Sequence, residues 1–321
     1  MNDRLEGPYF DDLAIGDVVA APSLTLTTGR AAVHQSILGS RLQLSLDEHL
    51  AHNVTGGPLS DPGFAWDVAI GQSTAVTRRV VANLFYRGLA FRRIPALGDT
   101  LRTRTEVVGL RQNASRPTGL AALRITTTDQ YDRLVLDFWR CAMLPLSSPD
   151  VRTGYDDDMS TIGAEPDLSP LVSSIKSWDL THWPDIAGPD LRPGSIWELR
   201  AGDVVSDATE LARLTLNLAH VHHDRFSQPS GRLVYGGHTI GLALAQVTKT
   251  LPQLLTVGGW HGCDHTGPVR EGDTVVSRIE VLRVSDLGPS LRAADLRVVV
   301  RAVDEQGTRD VLDWRPIVVL R

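Results

Sequence analysis

Three short motifs occur twice along the chain, and the two copies come in the same order. The first copies lie in the N-terminal half, and the second copies follow in the C-terminal half at a nearly constant spacing. The pairs are DLAIGDVV (Asp12–Val19) with ELRAGDVV (Glu198–Val205), RIPALGDTL (Arg93–Leu101) with PVREGDTV (Pro268–Val275), and VLDFWR (Val135–Arg140) with VLDWR (Val311–Arg315). One such match would carry little weight, but three collinear matches indicate duplicated domains.

The duplication divides the 321 residues into two units of ordinary domain size. We expect an N-terminal unit at residues 1–147 and a C-terminal unit at residues 176–321. Residues 148–175 between them are rich in Asp, Ser, Pro and Gly. We therefore expect a linker or surface segment that adds little to the core.

Residue periodicity predicts a helix followed by antiparallel strands. Side chains alternate in character along Thr100–Leu110 and along Leu296–Ala302, which is typical of half-buried antiparallel strands. One face of a helix that starts just after Gly236 and Gly237 carries Ile240, Leu244, Val247 and Leu251. This pattern predicts an α+β fold in which a long helix is wrapped by a curved antiparallel sheet. That is the hotdog arrangement, and two copies in one chain (a tandem, or double, hotdog) would mimic a hotdog dimer.

Composition excludes several classes of protein. The net charge of −6 is spread without long single-sign runs, which argues against nucleic acid or an anionic membrane as the main partner. The N-terminal residues 1–13 lack an apolar stretch, and no long apolar run occurs elsewhere, so neither a signal peptide nor a membrane span is expected. The two cysteines, Cys141 and Cys263, do not form a disulfide framework and favour a reducing, cytoplasmic location.

A histidine-rich segment carries the candidate chemistry, and its motifs resemble those of the MaoC-like (R)-specific enoyl-CoA hydratases. In that family an Asp is followed five positions later by a His, then by a loop and a His-Gly or Tyr-Gly turn that opens the hotdog helix. Asn217 stands at the Asp position and His222 at the His position. The resemblance is closer to the mesaconyl-CoA hydratase (β-methylmalyl-CoA dehydratase) branch, through Asn-x-Ala-x-Val-His at residues 217–222, Arg-Leu-Val-Tyr-Gly-Gly-His at residues 232–238, and His265. It covers nearly the whole chain except the linker.

The resemblance implies reversible hydration of an acyl-CoA thioester, without a cofactor. The catalytic residues that it implies are His222, Asn217, Gly236 and Gly237, and the substrate-binding residues are Tyr235, His238, Arg232 and His265. A carrier-protein thioester remains an alternative substrate, and a homodimer of the chain remains open. The chemistry agrees, because hydration needs an acid–base group and donors for the enolate oxygen. A histidine titrates in the useful range, and glycine N–H groups at a helix N-terminus are suitable donors.

Asn217 is a departure from the wider family, because a carboxamide cannot act as a general base. His222 would then carry more of the proton transfer, or share it with Asp224, His238 or His265. In the first unit, alignment places Ser40 and Ser45 at the corresponding positions, and neither could act as a base there. We therefore expect one site per chain, with the first unit shaping the acyl pocket.

Three other functions compete with this interpretation. A thioesterase is a second activity of the hotdog fold and would use a carboxylate such as Asp224 or Asp264. A protein that binds acyl thioesters without turnover is favoured by the loss of Asp at position 217. The His-x-His-His-Asp sequence at residues 220–224 resembles a zinc site, but no cysteine or distant third ligand accompanies it, so no metal is expected. Nucleotide-binding motifs are absent from the sequence.

The residue before His265 bears on the choice of acyl group. Asp264 would repel a dicarboxylic acyl group if it faced the pocket, and a carboxylate substrate would need a cationic partner. Arg92, Arg93 or Arg232 could supply that partner only if they reached the site. The sequence therefore predicts a neutral or differently shaped enoyl group in preference to mesaconyl.

Overall fold

The computed structural model describes residues 6–228, 231–288, 290–305 and 307–321. The start of the predicted N-terminal unit, at positions 1–5, lies outside these ranges. Twelve strands form an antiparallel sheet: β1 (Val18–Ala20), β2 (Leu24–Thr25), β3 (Ala82–Phe91), β4 (Thr100–Gln112), β5 (Thr118–Thr128), β6 (Leu134–Pro145), β7 (Ile196–Glu198), β8 (Asp203–Val204), β9 (Leu254–His265), β10 (Thr274–Gly288), β11 (Leu291–Asp304) and β12 (Gly307–Leu320).

The helices follow the same division into two units. The helices of the first unit are α1 (Thr28–Leu38), α2 (Gln43–Leu46), α3 (Glu48–Thr55) and α4 (Pro62–Ser73). A connecting helix, α5 (Ser169–Ile175), precedes α6 (Ala208–Leu214) and α7 (Gly236–Thr250) of the second unit. Each unit therefore has a central helix, α4 or α7, directly before its four long strands.

The two halves of the sheet, one from each unit, join through β3 and β9. The sheet order is β1-β4-β5-β6-β3-β9-β12-β11-β10-β7, so each unit contributes one continuous half. Across the seam β3 and β9 are antiparallel, with Tyr86 opposite Cys263 and Leu89 opposite Trp260. This pairing places residues of the first unit beside the C-terminal end of β9, where His265 lies.

Both central helices are enclosed rather than amphipathic. All residues of α4 and all residues from Gly237 to Thr248 of α7 are buried. The four residues predicted to form one apolar face are buried, but the opposite face is buried too, because α7 also contacts α1 and α4. The apolar periodicity of α7 identified only one of its buried faces. It could not show that α1 and α4 cover α7 as well, because these contacts are not local in the sequence. The helix also begins slightly earlier than predicted, at Gly236.

The duplicated Gly-Asp-Thr motifs form matching turns. Gly98 and Gly272 have φ values of 95° and 94°, the left-handed region that favours glycine. In each turn the aspartate side chain accepts a hydrogen bond from a backbone N–H just upstream, at 2.9 Å for Asp99 and 2.8 Å for Asp273. The threonine that follows starts β4 or β10. The alternation predicted for Thr100–Leu110 of β4 and Leu296–Ala302 of β11 is confirmed, since the alternate residues are all buried: Leu101, Thr103, Thr105, Val107, Leu296, Val298, Val300 and Ala302.

The segment between the units contributes more to the core than its composition predicts. It contains a 3-10 helix at Met159–Thr161 and helix α5. Leu171 and Ile175 of α5 are fully buried, and Leu171 lies against Gly258 of β9. Its few apolar residues are thus placed on the sheet. No helix within the described ranges is long and apolar enough to cross a membrane.

Candidate active site

A cavity of about 320 Å³ lies between the two units, beside the seam of the sheet. Apolar residues such as Ile70, Val80 and Val221 form much of its wall. Its polar residues come from both units: Thr74, Asn83, Tyr86 and Arg140 from the first, and Asn217, His222, Tyr235, Thr239, His265 and Thr266 from the second, with Gly236 at the start of α7. None of the described lining residues is an aspartate or a glutamate.

His222 is held as a neutral base. It ends the 3-10 helix His220–His222, and its Nδ1 lies 3.1 Å from the carbonyl oxygen of Leu233. Because a carbonyl can only accept, Nδ1 carries the proton and Nε2 keeps its lone pair. Burial lowers the pKa of His222 to about 4, and the nearby charge of Arg140 contributes to this lowering. The imidazole is therefore uncharged at neutral pH.

Asn217 presents a hydrogen-bond donor to the cavity. Its Oδ1 accepts the N–H of Ala219 at 2.9 Å, while its Nδ2 is buried without a protein partner. The adjacent N–H of Leu218 donates to Thr74 Oγ1 at 2.7 Å, which fixes this turn to the first unit. The amide can thus hold an oxygen atom in the cavity by donating to it, which is the role left to a residue that cannot be a base.

Gly236 and His265 are in close contact. A Cβ atom at position 236 would lie only 2.6 Å from His265 Nε2, so a side chain there would displace the imidazole. His265 ends β9, and its buried Nε2 has no hydrogen-bond partner. Burial, followed by the charge of Arg140, lowers the pKa of His265 to about 4. The N–H of Gly236, the first residue of α7, has no partner within the helix, which leaves it available to an anionic oxygen.

The Tyr235 ring forms part of the cavity wall, and its hydroxyl is bonded elsewhere and not free to contact a substrate. Its ring centroid lies 5.7 Å from that of His222. Its hydroxyl donates to the backbone oxygen of Asp67 in α4, at 3.1 Å. The side chain therefore connects the two central helices and supports the His222 ring.

Three residues expected at the site do not line the cavity. Gly237 faces the other way, since a Cβ atom there would meet Asp67 Oδ1 at 2.1 Å. His238 is fully buried inside the fold, with neither ring nitrogen hydrogen-bonded. Arg232 forms an ion pair with Glu271. Successive residues of a helix point in different directions, so only Gly236 of the Gly-Gly-His turn reaches the cavity.

Arg140 and Tyr86 are cavity residues that the sequence analysis missed. Arg140 lies on β6 and Tyr86 on β3, and the guanidinium carbon is 6.0 Å from the centroid of the tyrosine ring. The only sequence signal was that Arg140 closes one of the duplicated motifs. Nothing in that motif indicates that the arginine faces a pocket formed with the other unit.

The equivalent position of the first unit is filled with aromatic side chains. Helix α4 begins at Pro62 and α7 at Gly236, while β3 ends at Phe91 and β9 at His265, so one constant offset relates the two units here. That offset makes Phe91 the counterpart of His265, and Trp260 the counterpart of Tyr86. Trp66 lies 6.3 Å from Phe91 and 5.1 Å from Trp260, measured between ring centroids. These rings, together with Trp314 at 6.0 Å from Trp66, form a packed cluster.

The other candidate polar residues lie away from the cavity. Ser40 and Ser45 are in and beside α2 and do not line it. Asp224 caps the N–H of Phe226, and Asp264 pairs with Arg315. His223 is bonded through Nε2 to the carbonyl oxygen of Asn217 at 2.6 Å. Within the described ranges, no group of three or more His, Cys, Asp or Glu residues is placed to hold a metal ion.

Comparison with known proteins gives two curated relatives, and no family model matches the chain. The chain is 27% identical to a β-methylmalyl-CoA dehydratase from Chloroflexus aurantiacus over 318 residues, which covers 95% of this chain and 90% of the relative. It is also 27% identical to a mesaconyl-CoA hydratase from Cereibacter sphaeroides over 310 residues, covering 91% and 89%.

Two solved structures resemble the whole chain. A conserved protein from Mycobacterium tuberculosis, described as a double hotdog, is 51% identical with a TM-score of 0.91, covering 99% of this chain and 100% of that one. A MaoC domain dehydratase from Chloroflexus aurantiacus is 24% identical with a TM-score of 0.84, covering 98% and 97%. The predicted α+β double hotdog is thereby confirmed, and the chain belongs to the same double-hotdog family as the Mycobacterium tuberculosis protein.

Proposed function

We propose that the protein catalyses reversible addition of water to a 2-enoyl thioester, giving a 3-hydroxyacyl thioester. The observation that carries this proposal is His222, whose Nδ1–H is bound to Leu233 while Nε2 remains a free base in a cavity closed by the start of α7. The names of both curated relatives, which are hydratases or dehydratases of CoA thioesters, support the same activity and favour CoA over a carrier protein.

The reaction follows from these positions. A water molecule that accepts a hydrogen bond from Asn217 Nδ2 loses a proton to His222 Nε2 as its oxygen bonds to C3 of the substrate. The C2=C3 electron pair moves toward the thioester oxygen, where the N–H of Gly236 and the positive end of α7 stabilise the developing charge. The imidazolium then returns the proton to C2. Its low pKa favours this return, and the reverse sequence is dehydration.

We also propose that each chain has one active site, to which the two units contribute different parts. The C-terminal unit, residues 176–321, supplies Asn217, His222, Gly236 and His265. The N-terminal unit, residues 1–147, supplies a wall of the acyl pocket. At the equivalent position of the first unit, the packed rings of Trp66, Phe91, Trp260 and Trp314 occupy the space that a second site would need, which supports this division.

The cavity chemistry argues against a thioesterase. A carboxylate that attacks the thioester or activates water must touch the substrate. The two carboxylates considered from the sequence, Asp224 and Asp264, lie outside the cavity lining. The alternative that the absence of an Asp at position 217 favours is binding of the thioester without turnover. An activity assay distinguishes this alternative from hydration.

A spectrophotometric assay separates the three functions. The purified protein is mixed with crotonyl-CoA or fumaryl-CoA without a cofactor, and both the enoyl absorbance and free thiol are followed. We expect loss of enoyl absorbance without thiol release. Thiol release would indicate a thioesterase, and binding of folded protein to both thioesters without turnover would indicate a non-catalytic protein.

His222→Ala tests the assignment of the base. We expect a loss of at least ~100-fold in kcat/KM, the usual scale for an acid–base group. Ser45→Ala, at the corresponding position of the first unit, should retain the parent rate. Equal losses in the two variants, with both folded, would contradict the proposed site.

A further inference from the structure

Arg140 is a buried cation in the cavity without an anionic partner. Its side chain extends from β6, and the residue is 2% exposed. One guanidinium nitrogen donates to Ser73 Oγ at 2.7 Å and another to Thr77 Oγ1 at 3.2 Å, while Nε has no partner. Within the described part of the chain, no carboxylate forms an ion pair with it and none lines the cavity.

Such a group is unusual in this protein. Arg92 and Arg93, which directly follow β3, form ion pairs with the buried side chains of Asp137 and Asp129. A buried charge is costly unless it is paired and hydrogen-bonded. The hydroxyls and the C-terminal end of α4, which ends at Ser73, offset part of this cost for Arg140. The rest of the free-energy cost of burying the Arg140 charge can be offset by an anion that is not part of the polypeptide.

We infer that Arg140 binds a carboxylate on the acyl group, so that the preferred substrates are 2-enoyl thioesters with a carboxylate on C3, such as fumaryl-CoA. This inference rests on the proposed function. A guanidinium binds a carboxylate through two parallel hydrogen bonds, which gives both strength and orientation. The phosphates of CoA do not meet the demand, because the pantetheine arm separates them from the thioester.

The position of Arg140 relative to the histidines supports a carboxylate on the reacting carbon. Its guanidinium carbon lies 6.0 Å from the centroid of the Tyr86 ring, and that ring lies 5.8 Å from the ring of His265. These residues and His222 line the same cavity. An acyl group held between these rings therefore has its C3 substituent near Arg140. The same cation opposes protonation of the base, which keeps His222 neutral when the substrate binds.

The inference reverses the neutral acyl group predicted from the sequence. That prediction depended on Asp264 facing the pocket, but Asp264 lies on the opposite face of β9 from His265 and pairs with Arg315 at 3.3 Å. Adjacent residues of a strand point to opposite faces, so Asp264 does not repel the acyl group. The cations considered then, Arg92, Arg93 and Arg232, are held in ion pairs outside the cavity.

A purely structural role is the competing explanation for Arg140. The residue joins β6 to the end of α4 through its two hydroxyl partners. If that were its only role, its replacement would reduce activity on charged and neutral substrates by the same factor. Substrate pairs that differ only in the carboxylate therefore separate the two roles.

The kinetic test compares fumaryl-CoA with crotonyl-CoA, which has a methyl group in place of the carboxylate. We expect the parent protein to prefer fumaryl-CoA, and Arg140→Met to lose about 100-fold in kcat/KM on fumaryl-CoA while changing less than about threefold on crotonyl-CoA. Arg140→Lys should recover only part of the loss, because an ammonium lacks the planar fork. The control is Arg315→Met, which removes the arginine of the second motif copy and should keep the parent preference.

A binding test keeps the inference separate from the proposed reaction. Succinyl-CoA and butyryl-CoA are the saturated counterparts of the two substrates and cannot be hydrated. Calorimetry should give tighter binding of succinyl-CoA to the parent, and Arg140→Met should abolish the difference. If neither enoyl-CoA is hydrated but this difference is found, the reaction is wrong and the carboxylate site stands. Equal affinities, or a parent preference for crotonyl-CoA, would overturn the carboxylate site even if Arg140→Met did not fold.

Discussion

Gly236→Ala should disturb the site through one added methyl group. The new Cβ would lie 2.6 Å from Nε2 and 2.8 Å from Cε1 of His265, where ordinary contact begins at 3.4 Å. Position 236 is helical and is not among the glycines with positive φ, so alanine is compatible with the backbone. The strain therefore falls on the imidazole and not on the fold.

The size of the effect follows from the displacement. The His265 ring must move by about 0.8 Å, the shortfall of 2.6 Å against 3.4 Å. His265 lines the cavity beside Gly236, whose N–H stabilises the developing charge, so a displaced ring shifts the bound thioester. A misplacement on the order of 1 Å at a reacting centre can cost about 100-fold. Alanine is a better helix former than glycine by up to about 1 kcal/mol, which opposes the packing cost. We therefore expect kcat to fall ~10- to 100-fold while the free energy of unfolding changes by less than about 1 kcal/mol.

The assay combines steady-state hydration of the preferred enoyl-CoA with urea unfolding. Gly241→Ala is the matched control, since this glycine of the same helix would place its Cβ 2.5 Å from Leu38 Cδ1, and neither residue lines the cavity. That variant should lose stability first. In a His265→Ala background, the added methyl group of Gly236→Ala should have much less effect on kcat. Parent-like activity of Gly236→Ala, or the same factor lost with and without the imidazole, would refute the reasoning.

Asn217→Ala should lower kcat about tenfold, and it should reduce the free energy of unfolding by about 1 kcal/mol because the Ala219 N–H loses its acceptor. Asn217→Asp keeps that acceptor and should remain active, because a carboxylate, the group that the wider family has at this position, can accept the water proton instead of donating to the water. Full activity of the alanine variant would contradict the donor role. His238→Phe introduces the residue that the first unit has at the equivalent position, Phe64. This variant should retain activity, and its folded state should be less sensitive to acid. The folded-state pKa of His238 is about 4, below its usual 6.5, so its contribution is present above pH 6.5 and is lost as the pH falls toward 4. Melting temperatures between pH 7 and 4 should therefore fall by less in this variant, and an unchanged slope would show that His238 is not responsible.

Local sequence patterns were sufficient for the architecture and for part of the site. Duplicated motifs reveal two units without any structural information, and alternation along Thr100–Leu110 identifies a strand because the pleat repeats at every second residue. Asn217, His222 and Gly236 are close in the chain, and His222 ends a short 3-10 helix that begins at His220. Their convergence therefore depends on local geometry, which the motif spacing expresses.

Tertiary structure alone decided which other residues reach the cavity. Arg140 lies in the first unit, far from His222 in the sequence, and only the pairing of β3 with β9 brings the two together. The exclusion of Asp264, Arg232 and His238 likewise depends on side-chain direction and on partners from other elements. Whether a charged residue faces a pocket or an ion pair is settled by nonlocal packing. In this protein, packing leaves Asp264 outside the cavity and places Arg140 in its lining. The expected acyl group therefore changes from a neutral one to one that carries a carboxylate.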